Sequence, residues 1–207
     1  MQILWKGQTC ISLSLSRGKQ EQVKILIDPF GESTGIKLSP QEADILLVTH
    51  GKPETKGVKG TPILFSTPGE YEVKDIFIQG IGETNGNVIY TMEAEGMKVC
   101  HLGAIQQQEL TSGQIEKIGT VHVLFIPVGG GDTIDAQEAA RMVSQLEPAV
   151  VIPMRYAIPG LKEKLGTVEQ FLKTMGVKEG EPQQKVILKQ KDVEGEEEMK
   201  LIVLKPS

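Results

Sequence analysis

Along the first half of the chain, apolar and polar residues alternate. Ile11, Leu13 and Leu15 are separated by Ser12, Ser14 and Ser16, the period of two that marks a half-buried strand. Short apolar runs follow at 23–27, 45–48, 62–65, 76–79, 88–92 and 97–102. The stretches "TPGE", "ETNGN" and "AEG" punctuate them, so each run reads as a strand. Residues 39–42, "SPQE", read as a short helix start, with Ser at the N-cap, Pro at the first helical position and Glu at the third. The period then changes. "TSGQIEKIG" is a short helix candidate, and 121–127 is a continuous apolar run, as a strand covered on both faces would be. Residues 135–146 give the clearest helix signal. Asp135 and Glu138 have capping-box spacing, and Ala139, Met142, Val143 and Leu146 make one apolar stripe. Residues 149–153 read as the next buried strand. Residues 167–175 read as a second amphipathic helix, with Gly176 as its C-cap. Two last strands, 185–189 and 199–204, are expected to form a hairpin around the acidic run 194–198. Many strands followed by a strand-helix-strand half predict sheets covered by helices. No repeat or linker interrupts the pattern, so residues 1–207 read as a single domain.

Composition narrows the partners. At 207 residues and 39% hydrophobic content the chain can bury a sizeable core. Its longest apolar runs are too short to cross a bilayer. The opening "MQILWKGQTC" has no charged stretch followed by an apolar one, so a cytoplasmic location is expected. A net charge of −5 with scattered Lys and Arg argues against nucleic acid, and no membrane partner is expected. Cys10 and Cys100 lack a CxxC neighbour, which argues against disulfides or a thiolate zinc site. Cys100 adjoins His101, but neighbours on a strand face opposite ways and cannot form a nucleophile–base pair.

The candidate chemistry lies in loops at strand ends. "LLVTHGKPETKG", residues 46–57, runs from a strand into His50 and then into Lys52, Glu54 and Thr55. Such a loop is where an α/β protein mounts its site. "VGGGD", residues 128–132, precedes a helix and could take an anion. It lacks a Walker lysine and dinucleotide spacing, so a tight turn is the simpler reading. His122 has no ligand-spaced neighbour and reads as structural, as does Trp5 in the core. Glu70, Tyr71 and Glu72 read as a strand edge after a turn.

Several stretches, in order, resemble the metallo-β-lactamase fold, and most closely its small metal-dependent-hydrolase branch related to the ascorbate-phosphate lactonases. "LWKGQTC" stands where the branch opens with Gly-His, and "KILIDPF" looks like its strand ending in Asp-Pro. "ILLVTHGKPETKG" sits where the family has Thr-His-x-His-x-Asp-His. "STPGEYEVKDIFIQGI" is similar to a sheet segment of the branch. "KVCHLGAI" matches a His-Leu-Gly-Asp strand end, and "VLFIPVGGGDTIDAQEAARMV" with "PAVVIPMRY" matches the strand-helix-strand that ends in Met-His-Tyr. The resemblance implies an α+β fold, a four-layered αββα sandwich with its site at the loop ends of both sheets.

By the same resemblance, His50 and His101 keep ligand positions. Gln8, Lys52, Thr55 and Arg155 replace histidines, Glu54 replaces an Asp, and Ala104 replaces a bridging Asp. A hydrolytic zinc or manganese centre needs three or more deprotonated donors and an open position for water. Protonated Lys and Arg have no lone pair to give. The resemblance therefore implies a degenerate metal centre, no resident cofactor and a ligand-binding or interaction role. Two alternatives stay open. The chain could be a metal-dependent hydrolase with one weak zinc or manganese site on His50, Glu54 and His101. It could instead be a metal-free enzyme or binder that holds a small anionic ligand with Lys52 and Arg155. Within the first reading, Lys52 and Arg155 either stand in for the metal charge and pair with Glu54, Asp28 or Asp132, or reach out to solvent and leave water in the cavity.

Overall fold

The computed structural model describes residues 1–18, 21–178, 180–195 and 198–207. The chain begins with strands β1 (Gln2–Gly7), β2 (Cys10–Arg17), β3 (Glu21–Ile27), β4 (Gln41–Glu42), β5 (Ile45–Leu47), β6 (Val58–Lys59) and β7 (Ile63–Phe65). Next come β8 (Gly69–Val73), β9 (Ile76–Gly82), β10 (Val88–Ala94) and β11 (Met97–His101). The second half runs α1 (Ser112–Ile118), β12 (Val123–Pro127), α2 (Ala136–Leu146), β13 (Val150–Met154), α3 (Val168–Thr174), β14 (Val186–Ile187) and β15 (Lys200–Leu201).

Two sheets result. One has the order β14-β1-β2-β3-β5-β7 and the other β15-β13-β12-β11-β10-β9-β8. The alternation along the first strands decides which side chains face which layer. Ile11, Leu13, Ile25, Ile27, Ile45 and Leu47 enter the main core, which both sheets share. Their neighbours Cys10, Leu26, Leu46 and Val48 form a second cluster, capped by Phe30, Leu38 and Val58. The loops after β3 and β5 therefore cover one sheet, with the small β4–β6 pair and a 3-10 turn at Glu32–Thr34. In the other sheet, β11, β12 and β13 pair in parallel through crossovers carrying α1 and α2. Every residue of β12 and β13 is buried, as strands between a sheet and helices must be. The α+β sandwich expected from the sequence is present.

Two local expectations are corrected. Residues 39–42 start no helix: Gln41–Glu42 pair in parallel with Val58–Lys59. The chain must enter buried β5 two residues later, so tertiary pairing overrides the capping signal. The closing strands do not form a hairpin. Val186–Ile187 pair with β1 in one sheet, and Lys200–Leu201 pair with β13 in the other. Each closes the edge of a different sheet, and Val186 and Leu188 are drawn into the main core there. Of the acidic run, Glu196 and Glu197 lie outside the described residues. The capping boxes of α1 and α2 are present: Asp135 accepts from the Gln137 and Glu138 amides at 2.9 Å each.

Candidate functional site

The candidate residues lie at strand ends and in the loops that follow, and Thr55, His101, Ala104 and Asp132 are not among those that line the cleft. Gln8 lies in the β1–β2 turn, Asp28 follows β3, His50 follows β5, and His101 ends β11. Asp132 follows β12 and Arg155 follows β13. Most of these are the carboxyl ends of parallel strands, where open α/β sheets bind ligands. A cleft of about 310 Å³ opens there, lined among others by Gln8, Asp28, His50, Lys52, Glu54 and Arg155. Larger hollows of about 640 and 690 Å³ flank His122 and contain none of these residues.

Asp28 is the buried anchor of one wall. Its carboxylate accepts from the Thr49 amide at 2.7 Å and from the Thr49 hydroxyl at 2.5 Å. That hydroxyl also contacts His50 Nδ1 at 2.9 Å. Thr49 Oγ1 has one proton, given to Asp28, so Nδ1 must donate to it. Nε2 then has no partner among the described residues. Burial alone would push the Asp28 carboxyl up. The hydrogen bond and charge of His50 and the Thr49 hydroxyl overcome it and hold Asp28 below the usual carboxylate range. The Asp28 carboxylate in turn raises the His50 imidazole above its ordinary value.

His101 is fully buried and differs in kind. Its Nδ1 accepts from the Gly103 amide at 3.0 Å, and its Nε2 contacts the Thr9 carbonyl at 2.9 Å. One nitrogen must be the acceptor and the other the donor, which fixes a neutral ring with its proton on Nε2. Burial holds the imidazole below its ordinary value. No lone pair is left for a metal. Ala104 is buried beside it and offers only its carbonyl, which accepts from Asn87 Nδ2 at 3.0 Å.

Arg155 fills the opposite wall. Its side chain is 8% exposed, and Nη2 pairs with both Asp132 and Glu163. Its pairing with Asp132 is as expected. Its second carboxylate, Glu163, was not legible, because "GLKEKLG" carries no periodic or motif signal. Thr49 was also missed, although it adjoins His50. Lys52 departs from expectation. It is exposed at the cleft rim, and no ion pair to it is found among the described residues. Glu54 lines the cleft, and its Oε1 accepts from the Lys56 amide of its own loop at 2.8 Å. Thr55 is exposed. His122 accepts from the Lys98 amide at 2.9 Å and acts as the structural residue expected.

Three residues with positive φ that are not glycine border the cleft: Gln8 (50°), Asp28 (47°) and Arg155 (51°). Such backbone costs on the order of 1 kcal/mol per residue. It persists where surrounding contacts over-determine it. Here the Arg155 amide donates to the Gln8 carbonyl at 3.1 Å and the Asp28 amide to the Leu47 carbonyl at 2.9 Å.

This donor set does not fit a hydrolytic metal centre. Among the described residues, no three His, Cys, Asp or Glu side chains gather as a metal ion requires. His101 has spent both nitrogens, one Glu54 carboxylate oxygen is held by its own loop, and the Arg155 guanidinium occupies the far wall.

Comparison with known proteins agrees with the fold. A profile of the β-lactamase superfamily domain matches residues 2–155. A crystal structure from Thermotoga maritima, provisionally assigned as a Zn-dependent hydrolase of the metallo-β-lactamase superfamily, is 35% identical. It superposes with a TM-score of 0.82, over 99% of this chain and 98% of that one. A UPF0173 metal-dependent hydrolase of Methanopyrus kandleri is 28% identical over 75% of this chain and 84% of its own length. A UPF0173 protein of Pyrococcus furiosus is also 28% identical, over 75% of this chain and 83% of its own. Matched by that profile over most of its length and by relatives of this kind, the chain belongs to the β-lactamase superfamily and has the metallo-β-lactamase fold.

Proposed function

We propose that this is a superfamily member with a degenerate metal centre, whose cleft binds a small ligand rather than hydrolysing one with a metal-bound water. The observation that carries the reading is His101. Of the two histidines kept at ligand positions, it is the one whose ring nitrogens are both committed to backbone groups. A mononuclear zinc or manganese site on His50, Glu54 and His101 would need His101 to release the Gly103 amide. It would also need Glu54 to leave the Lys56 amide. Each release strands a polar group and costs about 1–3 kcal/mol where the group is buried.

A metal-free reaction is the second reading, and one observation favours it. The Asp28–Thr49–His50 chain fixes the His50 proton on Nδ1 and leaves Nε2 as an acceptor at the cleft. That is the form a general base needs. The proposed compartment is the cytoplasm, in keeping with two buried, unpaired cysteines. The core cluster shared by both sheets supports one domain across residues 1–207.

The test is elemental analysis of protein purified without added metal, with a phosphodiester and lactone hydrolysis screen in chelator and in added zinc or manganese. The expected result is well under one equivalent of metal and no metal-dependent turnover. Two tightly held metals per chain would sink the reading.

A further inference from the structure

The sequence predicts a tight turn at residues 128–132, with an anion cradle as the alternative. Its atoms present the opposite polarity. Gly130 N is spent on the Ile134 carbonyl at 3.0 Å, and Thr133 N leans on the Gly130 carbonyl at 3.4 Å. What the turn and its neighbour offer is oxygen. Arg155 Nη1 donates to the Gly130 carbonyl at 3.0 Å and to Thr133 Oγ1 at 2.9 Å. Nη2 donates to Asp132 Oδ1 and to Glu163 Oε1, the latter at 2.8 Å. Thr133 Oγ1 gives its own proton to the Gly130 carbonyl at 3.0 Å, which leaves it a pure acceptor towards Arg155. The two Nη atoms carry four hydrogens, and four oxygens receive them. This is complementarity to a planar fork, which an ammonium or a bare ion does not require.

The glycines belong to this arrangement. A Cβ on Gly129 would lie 2.3 Å from the Arg155 carbonyl oxygen. A Cβ on Gly131, where φ is +75°, would lie 2.8 Å from the Glu163 carboxylate. The first would push the Arg155 backbone off the turn, and the second would displace the Glu163 carboxylate that receives the guanidinium. A Gly129–Gly166 bond of 2.7 Å ties the same loops a few residues away.

We infer that residues 130–133 together with Glu163 form a guanidinium receptor, occupied in the native chain by the tethered side chain of Arg155. The ligand class it takes is a small guanidinium cation, and it does not bind phosphate. The inference rests on the reading of Arg155 as a replacement at the old metal position, yet it is tested without reference to metal content. A chain found to carry metal would end the proposed function and leave the rescue result standing. Failed rescue would end this inference and leave the metal result standing.

The experiment is rescue of R155A. Its thermal midpoint is measured against methylguanidinium chloride at low millimolar concentration, with sodium, methylammonium and magnesium chlorides matched in ionic strength. The expected result is a lowered midpoint that rises saturably with methylguanidinium, by linkage to binding, and does not rise with the other three. The wild type should show no such rise, and D132N/E163Q added to R155A should abolish it. A folded R155A with no guanidinium-selective rise overturns the inference. So does an equal rise with magnesium, which would make the seat a general oxygen cage. If R155A does not fold, the native protein still decides. Its Arg155 Nη protons should give separate, slowly exchanging nuclear magnetic resonance signals, and averaged, rapidly exchanging ones overturn the inference.

Discussion

His50 follows a strand of one sheet and His101 ends a strand of the other, and their surroundings drive them in opposite directions. The Asp28 carboxylate raises His50, whereas burial lowers His101. A raised histidine contributes stability that is complete below its unfolded value of about 6.5 and is lost as pH rises through the folded value. A lowered one loses its contribution as pH falls below about 6.5, because the unfolded chain then binds the proton first. Asp28, held low, contributes fully above about 3.9 and loses that contribution as pH falls through its folded value. The two histidines thus oppose each other near neutrality, and a single variant separates them. The stability gap between wild type and H50Q should widen as pH falls from about 8 to about 5.5, across the unfolded value of His50. Urea titrations at several pH values check this, and a gap flat across that window would remove the pairing with Asp28. Residue identity made His50, His101 and Arg155 legible in the sequence. It could not show that His101 is saturated, because the Thr9 carbonyl that it contacts lies 92 positions away. It also gave Lys52 the same weight as Arg155. Side-chain direction separates the two, since one is exposed at the rim and the other is buried between carboxylates.

Helix α2 shows why some elements could be read in advance. Its stripe of Ala139, Met142, Val143 and Leu146 is buried, and its cap is local, within three residues. Asp135 accepts from two orphan amides at the helix start, and Glu138 accepts in return from the Asp135 amide at 2.9 Å. D135A should therefore cost about 1 kcal/mol, seen as a lower urea midpoint with an unchanged slope. A change within the scatter of the measurement would mean that the cap is redundant with tertiary packing. The elements that were misread have non-local causes. The "SPQE" signal lost to pairing between Gln41–Glu42 and Val58–Lys59. The closing strands were drawn to opposite sheets by partners at Gln2–Ile3 and Val150–Val151. No window of neighbouring residues contains that information.

For the whole molecule, the order of the motifs along the chain indicated the fold through their resemblance to a known family, and the motifs that follow β3, β5 and β13 meet at one cleft. What was not legible is the second carboxylate on Arg155, since Glu163 sits in irregular chain after β13. The common backbone makes a reconstruction feasible. The variant Q8H, K52H, E54D, T55H, A104D and R155H places most of the superfamily's ligand types on this scaffold. It should gain zinc or manganese affinity by equilibrium dialysis, with protons released on binding. No gain in a variant that is still folded would show that the positions do not correspond.

Trp5 gives the molecule an optical property. It is the only tryptophan, it is fully buried, and its indole N–H donates to the Gln8 carbonyl at 2.8 Å. The same carbonyl accepts the Arg155 amide, and the Tyr156 ring lies 4.6 Å from the indole ring. One fluorophore thus shares an acceptor with the backbone at the cleft wall. Its emission, and energy transfer from the adjacent phenol, should respond when that wall moves. Titrating small ligands against Trp5 emission tests cleft binding without a label, and emission unchanged by a ligand shown to bind by a separate measurement would mean that the wall does not move.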